Sequence, residues 1–336
     1  MSAVSPDGAT PLLQVEDLHV AFDTRQGAVT ALDGVSFSLA AGETLGIVGE
    51  SGCGKSITAL ALMGLIPAPP GRLTGGRIDF AGRDIARLAE SELRRLRGRD
   101  IAMIFQEPMT SLNPVFPVGA QIAEAILLHR EIDRQAARRE AVALLRTVGI
   151  PDAERRATAY PHELSGGMRQ RVMIAMAISC RPKVLIADEP TTALDVTVQA
   201  QIFELMRRIQ DEFGVALMLI THDMGAIAEM ADRVAVMYAG RIVEQGLADD
   251  VLDRPLHPYT RGLIDCIPVL GKAAPDGRPP ALSEIPGVVP PLHLIGDGCA
   301  FADRCSLAEP RCRRERPPLT GRRHGVACHV TAAQAT

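Results

Sequence analysis

The amino-acid sequence predicts an α/β fold, and three observations carry that prediction. Three short, branched, apolar runs at residues 44–48, 184–187 and 216–220 each end in polar residues, a glycine-rich loop joins the first of them to a helical stretch, and a longer helical region lies between the runs. Runs that are apolar throughout read as parallel strands buried on both faces, and in such sheets functional groups gather beyond the C-terminal strand ends. Residues 12–48 read instead as short strands separated by turns. Val35-Ser36-Phe37-Ser38-Leu39 alternates and Gly42 marks a turn, which predicts an antiparallel sheet beside the core. From 107 to 160 the pattern turns helical, with apolar residues at three- and four-residue intervals over 118–129 and 135–148; a helical subdomain inserted into the core is expected. After 233–238, the Ala239-Gly240 turn and 241–243 predict a hairpin. Beyond Arg254 prolines recur, from Pro268 to Pro291. They disfavour long helices and predict a small loop-rich extension, so that 1–255 and 256–336 are expected as separate domains.

Bulk composition narrows the function. A chain of 336 residues exceeds one typical domain and suits a large domain with an appendage. With 47% apolar and 23% charged residues it has the means to bury a sizeable core. A net charge of -4, 3% aromatic residues and no Trp give neither the basic footprint nor the stacking rings of a nucleic-acid binder, so no nucleic-acid partner is expected. The first residues lack a secretory leader pattern, and export is not expected. The most lipid-like stretch, 57–66, ends at Pro67 and falls short of the roughly 20 apolar residues that span a bilayer; any membrane role would run through a partner. Of seven cysteines, Cys299, Cys305, Cys312 and Cys328 crowd the tail. In a reducing compartment such a group suggests metal more readily than disulfides.

The run 44–48 leads into Gly49-Glu50-Ser51-Gly52-Cys53-Gly54-Lys55-Ser56 and then, from Ile57, a helix-compatible stretch. This is a phosphate-binding loop in its strand-loop-helix setting, set against the plain alternative of a chance glycine-rich turn. Its glycines let successive backbone N–H groups curl around an anion, and the helix N-terminus adds partial positive charge. Lys55 is assigned to the β- and γ-phosphates of ATP and Ser56 to Mg²⁺. The run 184–187 ends in Asp188-Glu189: Asp188 suits the Mg²⁺ shell, and Glu189 suits the orientation and deprotonation of an attacking water. Alone, such a pair is as well read as an ordinary solvated strand end. His222, after 216–220, is placed to bond the γ-phosphate and the water, although a lone His is more often structural.

Leu164-Ser165-Gly166-Gly167-Met168-Arg169-Gln170-Arg171 opens a helix upstream of the acidic strand. Ser165 and two glycines at a helix start form a second anion cradle without a lysine, suited to a phosphate already held elsewhere. Here the chain resembles the ABC ATPase family, whose signature usually reads LSGGQ where this chain has Met168 last. The resemblance runs from residue 12 to about 246. It implies a RecA-like core with an antiparallel β subdomain and an inserted helical subdomain, and ATP hydrolysis coupled to transport. It further implies a head-to-tail pair with a second ATPase subunit, either a copy or a paralogue, in which Ser165, Gly166, Gly167 and Met168 close the partner's nucleotide. By the same resemblance Gln106 links Mg²⁺ to the membrane subunits, Asp195 communicates across the pair, and Phe22 stacks on adenine or is simply a core residue. The stretch from Gln106 to Pro114 and the tetrad His257-Pro258-Tyr259-Thr260 look like those of bacterial dipeptide, oligopeptide and nickel importer ATPases, with peptide favoured. That family implies two integral membrane permease subunits, indirectly an extracytoplasmic solute-binding protein, and a peripheral position on the cytoplasmic face of the inner membrane. The alternative from another class is a soluble ABC ATPase of translation or DNA repair.

The tail spacing Cys-x5-Cys-x6-Cys-x15-Cys is looser than zinc knuckles use. Some peptide-importer ATPases hold a [4Fe-4S] cluster in this extension, and Cys299, Cys305, Cys312 and Cys328 are its expected ligands, with free thiols or zinc as the alternatives. The nearby Arg304, Arg311, Arg313, Arg314 and Arg316 are interspersed with acids and read as a solvated surface.

Overall fold

The computed structural model describes residues 10–25, 27–192, 194–267 and 284–336. Pro268, Pro275, Pro279 and Pro280 therefore lie outside the described residues. The chain divides into two compact units, one of Met1–Leu39, Leu45–Asp84 and Thr221–Thr336, the other of Ala40–Thr44 and Ile85–Ile220.

In the first unit, strands Leu13–Thr24 and Gly27–Leu39 pair antiparallel, with Leu13 opposite Leu39 and Phe22 opposite Val29. Strand Gly71–Phe80 pairs on the other side of Leu13–Thr24, and Arg83–Asp84 completes a four-stranded sheet. Leu13, Val15, Leu18, Val20, Val35, Phe37 and Leu39 are buried, giving the sheet one apolar face. Its first two strands, at 12 and 13 residues, are longer than the short runs expected from sequence. Register shifts between Val15 and Leu18 and between Val20 and Ala21 explain the difference: a bulge breaks the alternation without ending the strand.

The same unit holds a second set of strands. Residues 45–48 run parallel to Arg233–Tyr238, which folds back on Arg241–Leu247. Ala239 (φ 49°) and Gly240 (φ 79°) make the expected two-residue turn, whose paired positive φ values match the twist of the hairpin. Among the described residues past Arg254 lie one short helix, Pro258–Asp265, several single turns and the strand Gly325–Val326, a loop-rich make-up. A minor core of Leu256, Val326 and Cys328 lies here. Its anchor is Glu244, which is fully buried. The carboxylate accepts the N–H groups of Leu256 (2.7 Å) and His257 (2.8 Å), and His324 Nε2 lies 2.7 Å from it. Glu244→Ala would strand three buried polar groups at once, so a loss of about 3 kcal/mol is expected. A thermal melt checks this, and an unshifted melting temperature contradicts it.

In the second unit, Ile101–Ile104, Val184–Asp188 and Ala216–Thr221 form parallel ladders with Val184–Asp188 in the middle. Every residue of the three is buried, in keeping with their unbroken apolar composition. Helix Val118–His129 matches the sequence reading, and Arg134–Thr147 lies within a residue of it. The latter is started by Asp133, whose carboxylate accepts the Ala136 N–H at 2.8 Å, and it buries Ala137, Ala141 and Leu145 at four-residue spacing. No helix among the described residues is long and apolar enough to cross a membrane.

Candidate nucleotide-binding and active site

Strand Thr44–Val48 is buried throughout and delivers the loop 49–54 to helix Lys55–Leu62. The sequence folds this way because two glycines do what side chains cannot. A Cβ on Gly49 would sit 2.2 Å from the Met237 carbonyl oxygen, and Gly54 starts the helix at φ 107°. Lys55, 5% exposed, donates to the carbonyls of Gly49 (2.7 Å) and Glu50 (3.1 Å), so its ammonium is held inside the curve of its own loop. Ser51 and Gly52 are exposed at the loop tip, Ser56 and Ile57 are half-buried, and Cys53 is fully buried. Burial pushes the Cys53 thiol up in pKa, against the pull of nearby Lys55. It fills space as a neutral thiol. Phe22 is half-buried in Leu13–Thr24, with its ring against Gly71.

The acidic strand end lies in the second unit. Asp188 closes its strand and is 4% exposed. Glu189 follows at φ 46°, a left-handed conformation that costs a non-glycine residue energy and collects at functional sites. Its N–H donates to the Ile220 carbonyl at 2.8 Å, which holds the turn. Its Oε2 accepts from Gln106 Nε2 at 3.0 Å and from Thr192 Oγ1 at 2.9 Å. The structure thus brings Gln106 and Glu189 together and adds Thr192, which no sequence signal singled out. His222 is exposed directly after Ala216–Thr221, before the helix capped by Asp223.

Ser165 caps helix Gly166–Ile178, its hydroxyl accepting the Met168 N–H at 3.3 Å. Ser165 and Gly166 are exposed, Gly167 and Met168 half-buried, and Gly167 packs on Val198. Asp195 is exposed and accepts the Val198 N–H at 2.9 Å as the cap of Val196–Phe213. These two helix starts are therefore neighbours within one unit.

The model of the ABC transporter family matches residues 32–192, and that of the oligopeptide/dipeptide transporter C-terminal region matches 243–312. A probable peptide ABC transporter ATP-binding protein of Sinorhizobium fredii is 52% identical over 319 residues, 94% of either chain. The chain belongs to the ABC transporter ATP-binding proteins. The dipeptide transport ATP-binding protein DppD of Bacillus subtilis is 51% identical, again over 94% of each chain. The oligopeptide transport ATP-binding protein OppD of the same organism is 52% identical over 92% of this chain and 86% of its own. Among solved structures, the dimeric bacterial ABC transporter cassette MJ0796 superposes with a TM-score of 0.63 at 25% identity, covering 70% of this chain and 98% of that one. The cbiO1 subunit of Clostridium perfringens gives 0.62 at 29%, covering 73% and 92%. The fold is that of an ABC ATP-binding cassette, and the chain is the ATP-hydrolysing subunit of an ABC transporter.

Two expectations for the tail of this ABC subunit change. Cys299, Cys305, Cys312 and Cys328 do line one cavity, but its volume is about 10 Å³, room for about one water. Among the described residues no group of His, Cys, Asp or Glu is arranged to hold a metal ion, so the iron-sulfur expectation finds no metal-binding group. Burial pushes the Cys299 thiol up to about 11, leaving it protonated at neutral pH, and pushes Cys305 up as well. The second change concerns the arginines. Arg311, Arg313 and Arg316 make exposed ion pairs with Glu315, Asp303 and Asp33. The Arg304 side chain is only 5% exposed. Its guanidinium is drawn inward by aromatic rings and a carboxylate that composition does not reveal.

Proposed function

We propose that this ABC subunit powers the uptake of di- or oligopeptides, and one observation carries the proposal: a cassette and an oligopeptide/dipeptide-type C-terminal region occur in one chain. The named peptide-transport relatives, about half identical over nearly the whole length, support the same cargo. In functional terms 1–255 is the motor and 256–336 the family-specific extension.

In the cycle we assign, Lys55 neutralises the β- and γ-phosphates while the N–H groups of 49–57 wrap them. Phe22 takes the adenine. A hard cation with oxygen ligands fits the donor set of Ser56, Gln106 and Asp188, and bound magnesium would offset phosphate charge there. Glu189, oriented by Gln106 and Thr192, takes a proton from the attacking water, and His222 bonds the γ-phosphate. Ser165, Gly166, Gly167 and Met168 seal the nucleotide of a second ATPase subunit, with Asp195 signalling across that pair. Loss of the bridging phosphate then reopens the pair, a ligand-driven population shift. Two permease subunits in the inner membrane receive the movement at its cytoplasmic face, and a solute-binding protein outside delivers cargo. The exposed apolar residues Val115 and Phe116 support a docking role for the stretch that follows Gln106.

ATPase activity of the subunit reconstituted in vesicles with its permeases tests the cargo. Stimulation by peptide-loaded binding protein is expected; stimulation by nickel instead would overturn the peptide assignment.

A further inference from the structure

Glu50, the second residue of the phosphate loop, is held at three points, and two of the holding groups come from the C-terminal region. Its N–H donates to Tyr259 Oη at 2.7 Å. Its carbonyl accepts from Lys55 Nζ at 3.1 Å. Its carboxylate receives both ends of the Arg304 guanidinium, Nη1 at 2.6 Å and Nη2 at 3.0 Å, a two-point fork of the kind that fixes direction as well as distance. Arg304 itself is built in. Its Nε donates to the Pro286 carbonyl at 2.8 Å, and its guanidinium lies 5.7 Å from the Phe301 ring centre and 5.8 Å from that of Tyr238. Tyr238, Tyr259 and Phe301 pack mutually at 4.7 to 5.4 Å between ring centres. The hydrogen bond from the Glu50 carboxylate raises the Arg304 pKa, outweighing burial, which acts the other way.

We propose that Arg304 and Tyr259 are positioning residues for nucleotide binding, through which the C-terminal region sets the shape and charge of the phosphate loop. Two physical effects follow from the geometry. Fixing both ends of the Glu50 peptide fixes the carbonyl that Lys55 bonds, and so the starting place of the ammonium. Arg304 also neutralises a carboxylate on the very loop that must accept a triphosphate; without it, Glu50 repels the incoming anion. The C-terminal region is thereby part of the ATP site without touching ATP.

The inference rests on the loop being the nucleotide site. The test is equilibrium binding of a fluorescent ATP analogue to the full chain with Mg²⁺. Arg304→Met is expected to raise Kd about tenfold, in the range typical of coupled sites. Arg304→Lys, which keeps the charge but not the fork, is expected to raise it about threefold, and it carries the test if the Met variant does not fold. Glu50→Gln combined with Arg304→Met removes the unpaired charge and is expected to restore binding to within about threefold of wild type, a rescue that loss of packing alone would not give. Wild-type-like Kd in folded Arg304→Met or Arg304→Lys protein overturns the proposal, as does a double variant no tighter than Arg304→Met. Failure of the wild-type chain to bind the analogue would instead overturn the nucleotide-site reading itself.

Discussion

Glu189→Gln is expected to lower ATP turnover by about a thousandfold while leaving ATP binding intact. The magnitude is that of losing a positioned general base, about 10² to 10⁴ in rate. The selectivity follows from shape. Gln keeps the volume of Glu and an oxygen able to accept from Gln106 and Thr192, and the backbone at φ 46° stays tied to Ile220. What disappears is the carboxylate to which the proposed cycle assigns the proton of the attacking water. Phosphate release under steady-state conditions reports the first half of the expectation, and equilibrium nucleotide binding the second. Turnover within a few fold of wild type would take Glu189 out of its assigned role.

Lys55→Ala is expected to act earlier, raising Kd for ATP about a hundredfold. Charge-assisted hydrogen bonds are worth about 1.5 to 3 kcal/mol each, and an ammonium buried in the curve of the loop meets the phosphates with little competing water. The substitution also strips the Gly49 and Glu50 carbonyls of the donor they share. Both effects weaken the ground-state grip on nucleotide, so the loss belongs in Kd and not in the chemical step alone. Titration of a fluorescent ATP analogue measures it; a Kd within threefold of wild type would contradict the assignment.

The core of this ABC subunit was legible because its strands are buried on both faces and its loop chemistry is local. The run 44–48, the glycines and Lys55 lie within about a dozen consecutive residues, and each obeys a short-range rule. Helices Val118–His129 and Arg134–Thr147 announced themselves by periodicity and the hairpin by Ala239-Gly240. Strand lengths in the antiparallel sheet were not legible, because bulges interrupt alternation without interrupting pairing. The contact of Gln106 with Glu189 spans 83 residues and no sequence reading foresaw it; Gln106 itself came only through a family likeness, as a link from Mg²⁺ to the membrane subunits. Arg304 was hidden for a stronger reason: its partner Glu50 lies 254 residues away, and in sequence it looks like its solvated neighbours. Thr192, three residues beyond Glu189, shows no pattern at all until the left-handed turn brings its hydroxyl back. The four tail cysteines share a cavity, while the cluster that the family likeness implied for them found no metal-binding group among the described residues.

The most direct measurement is equilibrium dialysis of Mg-ATP against two full-length variants, Glu189→Gln and Glu189→Gln/Lys55→Ala. With hydrolysis suppressed in both, binding reports the phosphate loop alone. Saturable retention by the first and near-complete loss in the second is the predicted result. Equal retention by both, or none by the first, would contradict a motor built on Lys55 for grip and Glu189 for cleavage.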